Sequence, residues 1–194
     1  MKPYFIKTPW WLKKIYGAYR WDIPSIGNNV YLTFDDGPHP VATPFVLDQL
    51  KAAEAKASFF CIGNNVLQHP HLFQRICEEG HTVGNHTHTH RNGWKTNNAD
   101  YLDDIRCAQQ LIPSNLFRPP YGRIKRSQAV EIKKMLGADA QIIMWDILSA
   151  DFDETISGEQ CLTNVLKHLR AGSIIVMHDS QKAWNRLHYA LPIM

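Results

Sequence analysis

At 194 residues the chain has the length of one domain, enough to bury about two-thirds or more of the surface its extended form exposes. Hydrophobic residues make up 44% and charged residues 20%, and the net charge of +3 contains no long basic run, which argues against nucleic acid as a partner. No apolar stretch is long enough to span a bilayer, and four cysteines far apart without a CxxC pair predict buried free thiols, not a disulfide framework.

Residues 1–27 are aromatic and basic: Tyr4, Phe5, Trp10, Trp11, Tyr16, Tyr19 and Trp21 stand among Lys2, Lys7, Lys13 and Lys14. The lysines leave no secretory h-region, so no signal peptide is visible and the protein is expected in the cytoplasm or peripherally on the envelope. Such a mixture can lie at a membrane interface. The preferred expectation is an N-terminal strap over apolar surface of the domain, its lysines in solvent. Residues 28–194 then form the domain proper.

Residues 30–34 (Val-Tyr-Leu-Thr-Phe) predict a strand. Thr43 is placed to cap a helix starting near Pro44, with Val46, Leu47 and Leu50 on one face. A strand over residues 57–62 precedes a helix through Leu72, Ile76 and Cys77, which Gly80 ends. Thr82-Val83 is a short strand, and a helix through Leu102, Ile105, Cys107 and Leu111 stops before Pro113. Leu116-Phe117 leads into Arg118-Pro119-Pro120, where proline forbids continued pairing. Residues 141–145 and 173–177 read as buried apolar strands, with a Ser157-capped helix between them.

This alternation predicts an α/β fold with a parallel sheet covered by helices. The reactive residues then fall at strand ends. Asp35 and Asp36 follow the first strand, His86 and His90 the third, Arg118 the fourth, Asp146 and Asp151 the fifth, and His178 the sixth. C-terminal strand ends are where such sheets place their sites.

The chemistry of each segment is specific. Two adjacent carboxylates, Asp35 and Asp36, repel unless a cation compensates one of them. A metal on Asp36 leaves Asp35 free as a general base; taken alone, the segment reads as an Asp-Gly-Pro turn in which Asp tolerates unusual backbone angles and Gly37 permits positive φ. His86 and His90 share a face if helical, or converge from a loop curling after the strand. Two neutral imidazoles and one carboxylate suit zinc or a similar divalent ion, with positions open for water and substrate. Arg118 is a bidentate cation able to orient Asp35. His178 can protonate a leaving amine, with Asp151 raising its pKa. His88 points away, and Trp94 and Trp145 are candidate aromatic stacking surfaces, Trp145 being the better fit to the core.

Five ordered segments carry a resemblance: Thr33-Phe34-Asp35-Asp36-Gly37-Pro38, His86-Thr87-His88-Thr89-His90, Arg118-Pro119-Pro120-Tyr121-Gly122, residues 146–152, and Val176-Met177-His178. Together they span about residues 30–180. The chain resembles the polysaccharide deacetylase family (NodB homology domain, carbohydrate esterase family 4). The resemblance implies a deformed, incomplete (β/α) barrel. It implies Asp36, His86 and His90 as metal ligands, Asp35 as base and His178 as acid. Arg118 then supports Asp35, Asp151 tunes His178, and the Tyr121 backbone N–H holds the oxyanion. With Tyr121, Phe152 and Val176 line the pocket for the acetyl methyl, where the family usually has Trp and Leu, and Pro120 joins the substrate-binding positions. The family usually continues through another helix and a strand beyond residue 194, so the barrel is expected to be open there. The implied activity is removal of acetyl groups from N-acetylated amino sugars of a glycan such as peptidoglycan or a chitin-like polymer. The implied cofactor is a divalent metal, zinc first, with cobalt, nickel or manganese open. The oligomeric state stays open. The alternatives are a related metal-dependent esterase or amidase on another acyl group, and a non-catalytic glycan-binding domain.

Overall fold

In the computed structural model, which describes residues 4–24 and 27–194, the apolar runs pair side by side and the amphipathic stretches cover them. In chain order the elements are α1 (Trp10–Ile15), β1 (Tyr31–Asp35), α2 (Ala42–Ala52), β2 (Ser58–Cys61), α3 (Gly63–Gln68) and α4 (Pro70–Glu78). Then come β3 (Thr82–Asn85), α5 (Asn98–Gln109), β4 (Leu116–Phe117), a 3-10 turn (Pro120–Gly122) and α6 (Arg126–Leu136). The chain continues through β5 (Gln141–Ile142), β6 (Ile147–Leu148), α7 (Gly158–Leu166), β7 (Ile174–His178) and α8 (Trp184–Ala190).

The seven strands lie in the order β5-β4-β3-β2-β1-β7-β6, every neighbouring pair parallel. Phe34, Val46, Leu47, Phe59, Ile76 and Met177 form much of the main core. Register brings Asp35 beside Phe60 on one side and His178 on the other, so two reactive side chains end adjacent strands at one level.

β5 and β6 are the sheet's edges, and the N-terminal residues run against both. Leu148 N–H donates to the Ile6 carbonyl at 2.8 Å and Thr8 N–H to that of Asp146 at 2.9 Å. Arg20 N–H donates to Ile142 at 2.8 Å, and its carbonyl accepts from Met144 N–H at 2.7 Å.

Several details depart from the sequence reading. The apolar stretch expected as one strand over residues 141–145 forms a strand only at Gln141–Ile142, with Ile143 bridging Arg20 of the N-terminal segment, and the sheet resumes at Ile147–Leu148 on the other edge. Asp146 therefore precedes its strand and lies at the end of the sheet opposite His178. It is fully buried there, held by Lys7, Lys13, Arg170 and Ser173. The two lysines thus reach inward onto a carboxylate instead of into solvent. Thr43 sits inside the first turn of α2, where its hydroxyl accepts from His39 N–H and donates to Asp179 instead of capping. Cys61 and Cys161 are buried, but Cys77 and Cys107 are exposed, and all four are free.

Candidate active site

Asp35 is the last residue of β1, and Asp36 turns the chain away with φ 79°. The positive φ thus falls on Asp36, an angle that Asp tolerates, and not on Gly37. Gly37 is needed for a different reason: a Cβ there would lie 2.0 Å from Asp179 Oδ2. That space lets Gly37 N–H donate to Asp179 Oδ1 at 3.1 Å, tying the Asp-Asp turn to the end of β7. Asn65 of α3 adds a second anchor, donating to the Asp36 carbonyl at 2.7 Å.

His86 and His90 converge from a loop, not from a helix face. Positive φ at Thr87 (66°) and His90 (57°) curls the chain back after β3. Asn85 Oδ1 accepts from Thr87 N–H at 2.8 Å, and buried Asp104 accepts from His88 N–H at 2.9 Å and Thr89 N–H at 3.0 Å. Asp104 stands on α5 with no local sequence signal, and this clamp was invisible before the helix was docked. Among the described residues, five of the six non-glycine positions with positive φ (Asp36, Thr87, His90, Tyr121, Ala150) are in these loops, the usual place for stored backbone strain.

His86 Nδ1 lies 2.7 Å from the Arg118 carbonyl, which can only accept, so Nδ1 carries the hydrogen and Nε2 presents its lone pair. His90 Nδ1 lies 3.1 Å from the Tyr121 hydroxyl, which orients the second ring. Nε2 of His86 and Nε2 of His90 stand 3.6 and 3.2 Å from Asp36 Oδ1. One donor atom from each of the three residues lies within 4.8 Å of the others. Asp36 Oδ1 is buried yet accepts no well-directed hydrogen bond, a costly state that a divalent cation would relieve. Burial pushes the His86 imidazole down to about 4, aided by His90 and opposed by Asp35 and Asp36. Burial opposes ionisation of Asp36, but the His90 imidazole at 3.2 Å and the charge on His178 outweigh it and hold its carboxyl well below the usual range. A neutral imidazole and an ionised carboxylate are the forms that ligate. The residues present fit a divalent metal.

Arg118 is fully buried at the end of β4. It donates to Asp35 Oδ1 at 2.6 Å, Thr33 Oγ1 at 2.7 Å, the Met144 carbonyl at 3.0 Å and the Ile143 carbonyl at 3.2 Å. Its guanidinium also stacks 4.0 Å from the Phe60 ring. The other Asp35 oxygen, Oδ2, faces His86 Nε2 at 4.0 Å. On the far flank, Asp151 takes both the backbone N–H and Nδ1 of His178, each at 2.7 Å, leaving Nε2 toward the site. Burial works against charge on His178, yet Asp151, then Asp36 and Asp35, carry its pKa up to about 10.

Tyr121 is exposed, at φ 60°. Gly122 follows at φ 65°, where a Cβ would strike the Trp145 ring at 2.6 Å. Pro120 is buried, and the half-buried Phe152 ring meets the His178 ring edge-on at 5.3 Å. Val176 lies one pleat beneath His178 on the same face of β7 and is 1% exposed. Beyond Tyr121 opens an aromatic cavity of about 280 Å³, lined by Tyr4, Leu12, Tyr19, Trp94 and Trp145 among others. Trp145 is half-buried on this wall, not sealed in the core, and Trp94 is backed by Arg123 at 4.1 Å. Asp146 alone of the strand-end acids lies away from this site.

Arg118, Asp35, Asp36, His86, His90, Asp151 and His178 thus share one mouth of the sheet. The sequence reading missed Asp179, Asp104 and Asn65, and it quoted Thr33 without giving it a role. Only Asp179, directly after a strand-end histidine, had a position that could have flagged it.

The description "Polysaccharide deacetylase" belongs to the family model that matches residues 23–140. A peptidoglycan-N-acetylglucosamine deacetylase of Bacillus cereus is 34% identical over 180 residues, 89% of this chain, and the chain spans 63% of that relative's length. A chitooligosaccharide deacetylase of Bradyrhizobium is 35% identical over 158 residues, 78% of this chain and 70% of its own. A crystal structure of a peptidoglycan N-acetylglucosamine deacetylase in complex with 4-naphthalen-1-yl-N-oxidanyl-benzamide superposes with a TM-score of 0.82 at 31% identity, covering 96% of this chain and 90% of that one. The fold, with its open parallel barrel, is shared with that structure. Sequence and fold agree that the chain belongs to the polysaccharide deacetylase family.

Proposed function

We propose that this protein removes acetyl groups from N-acetylglucosamine residues of a glycan, using a divalent metal held by Asp36, His86 and His90. The observation that carries this reading is the buried Asp36 oxygen without a hydrogen bond, faced by two imidazole Nε2 atoms and flanked by Asp35 and His178. When bound, a divalent cation (zinc first, by its fit to two imidazoles and a carboxylate) polarises the acetamide carbonyl and acidifies water.

The chain's own groups do the rest. Asp35 takes a proton from the attacking water through Oδ2, because Arg118 occupies Oδ1. The Tyr121 N–H faces the developing oxyanion. His178, kept protonated by Asp151, gives its Nε2 proton to the departing amine as the C–N bond breaks, and acetate leaves. Phe152, Val176, Pro120 and Tyr121 enclose the acetyl methyl. Trp94 and Trp145 offer ring faces on which neighbouring sugars stack. The named relatives act on peptidoglycan and on chitooligosaccharides, glycans that both contain N-acetylglucosamine.

The test is acetate release from N-acetylglucosamine oligomers, with and without chelator. Asp35→Asn is expected to lower turnover about 10²–10⁴-fold while the protein keeps one metal per chain. Undiminished turnover in that variant removes Asp35 as the base.

A further inference from the structure

A surface helix normally turns its apolar stripe inward and its charges outward. α1 does the reverse. At 100° per residue, Trp10, Lys14, Trp11 and Ile15 fall within one 140° arc. All four are exposed, with Trp10 at 69%, Ile15 at 55% and Trp11 at 46%, and the helix has no buried residue. Leu12 and Lys13, on the opposite side, face the domain. Phe5, 57% exposed, extends the outward patch by an edge contact to Trp11 at 6.5 Å. Four large apolar side chains therefore gather on one outer face.

The charge around them narrows the occupant. Residues 1–24 carry Lys2, Lys7, Lys13, Lys14 and Arg20 against Asp22 alone. That excess exceeds the +3 of the whole chain, so the remainder is slightly acidic. Lys7 and Lys13 are taken up by Asp146 and Asp22, which leaves Lys14 and Arg20, among the described residues, for an anionic partner. Lys14 projects from the apolar face itself, its ammonium 4.9 Å from the Trp10 ring centre. Tryptophan beside lysine on a shallow apolar face is the chemistry of the boundary between lipid headgroups and acyl chains. No helix of the described residues is long and apolar enough to cross a membrane, which leaves a surface-lying mode. The anchorage is firm: Lys13 of this helix and Lys7 before it hold buried Asp146, so the patch cannot fold inward without breaking those pairs.

We propose that α1 and Phe5 form an interfacial membrane contact that seats the protein on an anionic lipid surface. The ligand class is an anionic phospholipid bilayer. The contact adjoins the aromatic cavity, since Phe5 and Leu12 also line its wall, so a bound protein holds that cavity next to the bilayer. This inference goes beyond the deacetylase reading and does not depend on it.

The experiment is co-sedimentation of the full chain with vesicles of phosphatidylcholine alone or mixed equally with phosphatidylglycerol, together with tryptophan emission. The expected result is binding to the mixed vesicles, weakened by salt, with a blue shift of emission. Trp10→Ser/Trp11→Ser/Ile15→Ser should bind at least about ten-fold more weakly, with unchanged circular dichroism and unchanged acetate release from soluble oligomers. Lys14→Glu should weaken binding to the mixed vesicles more than to neutral ones. Wild-type protein left in the supernatant overturns the proposal, as does equal binding by the triple variant. A dimer in sedimentation equilibrium that the triple variant dissociates overturns it too, because the patch is then covered by a second copy.

Discussion

The two ends of the sheet each bury an aspartate among cations, and they treat it oppositely. At the closed end, Asp146 accepts from Lys7, Lys13, Arg170 and Ser173. Burial resists its ionisation, but those donors together bring its carboxyl down to about 2. At the mouth, Asp35 is likewise matched by Arg118, while Asp36 keeps one buried oxygen that accepts no well-directed hydrogen bond. A carboxylate with every lone pair used holds structure, here the N-terminal residues against both sheet edges. One left short of donors, opposite two imidazole Nε2 atoms, is shaped for something that arrives later. Burial and charge alone do not separate the two cases; the hydrogen-bond inventory does.

The comparison breaks most visibly by exchanging its carboxylates. Asp36→Ala is expected to abolish metal binding, seen as loss of the bound ion by elemental analysis, and to lower acetate release by about 10³-fold or more. The metal-free form of that variant should melt near the metal-free wild type. Asp146→Ala should do the converse, losing about 2–4 kcal/mol in urea unfolding because two lysines are left facing apolar surroundings, with kcat/KM on soluble oligomers nearly unchanged. If Asp146→Ala cost activity before stability, the assignment of the two ends would be wrong.

Two titrations sharpen it further. His178 sits above its ordinary value, so its proton-donating form persists through neutral pH and is lost as pH rises through the folded pKa. A bound divalent cation opposes that charge and draws the loss to lower pH. Asp151→Asn should move the alkaline limb of kcat/KM down by about one to three pH units. The smallest effect is at Asp146. Its folded pKa lies below the unfolded value, so its stabilisation is complete above roughly pH 4 and drains away as pH falls through about 2. Asp146→Asn should flatten the stability profile over that window alone, measured by unfolding at fixed temperature.

The aromatic N-terminal segment shows how far pattern carries. Its composition favoured covering the domain over lying on a membrane, and the structure divides the residues between an inner and an outer face. Leu12, Tyr16 and Trp21 face inward, whereas Trp10, Trp11 and Ile15 face out. No periodicity distinguishes these in so short a helix, because which side is covered depends on how the preceding residues meet the edge strands.

From the sequence alone, the α/β alternation and the ordered strand-end motifs were already enough to gather Asp35, Asp36, His86, His90, Arg118 and His178 at one mouth. Strand polarity carries residues at equivalent strand ends to the same edge of a parallel sheet, whatever the loops do. Only the tertiary structure decided where pairing stops within the apolar stretch after Gln141. It thereby sent Asp146 to the opposite end, and it chose a strained loop over a helix for the two histidines. Both outcomes turn on non-local hydrogen bonds, to Lys7 and Lys13 in one case and to Asp104 in the other. A local pattern holds no record of partners that distant in the chain.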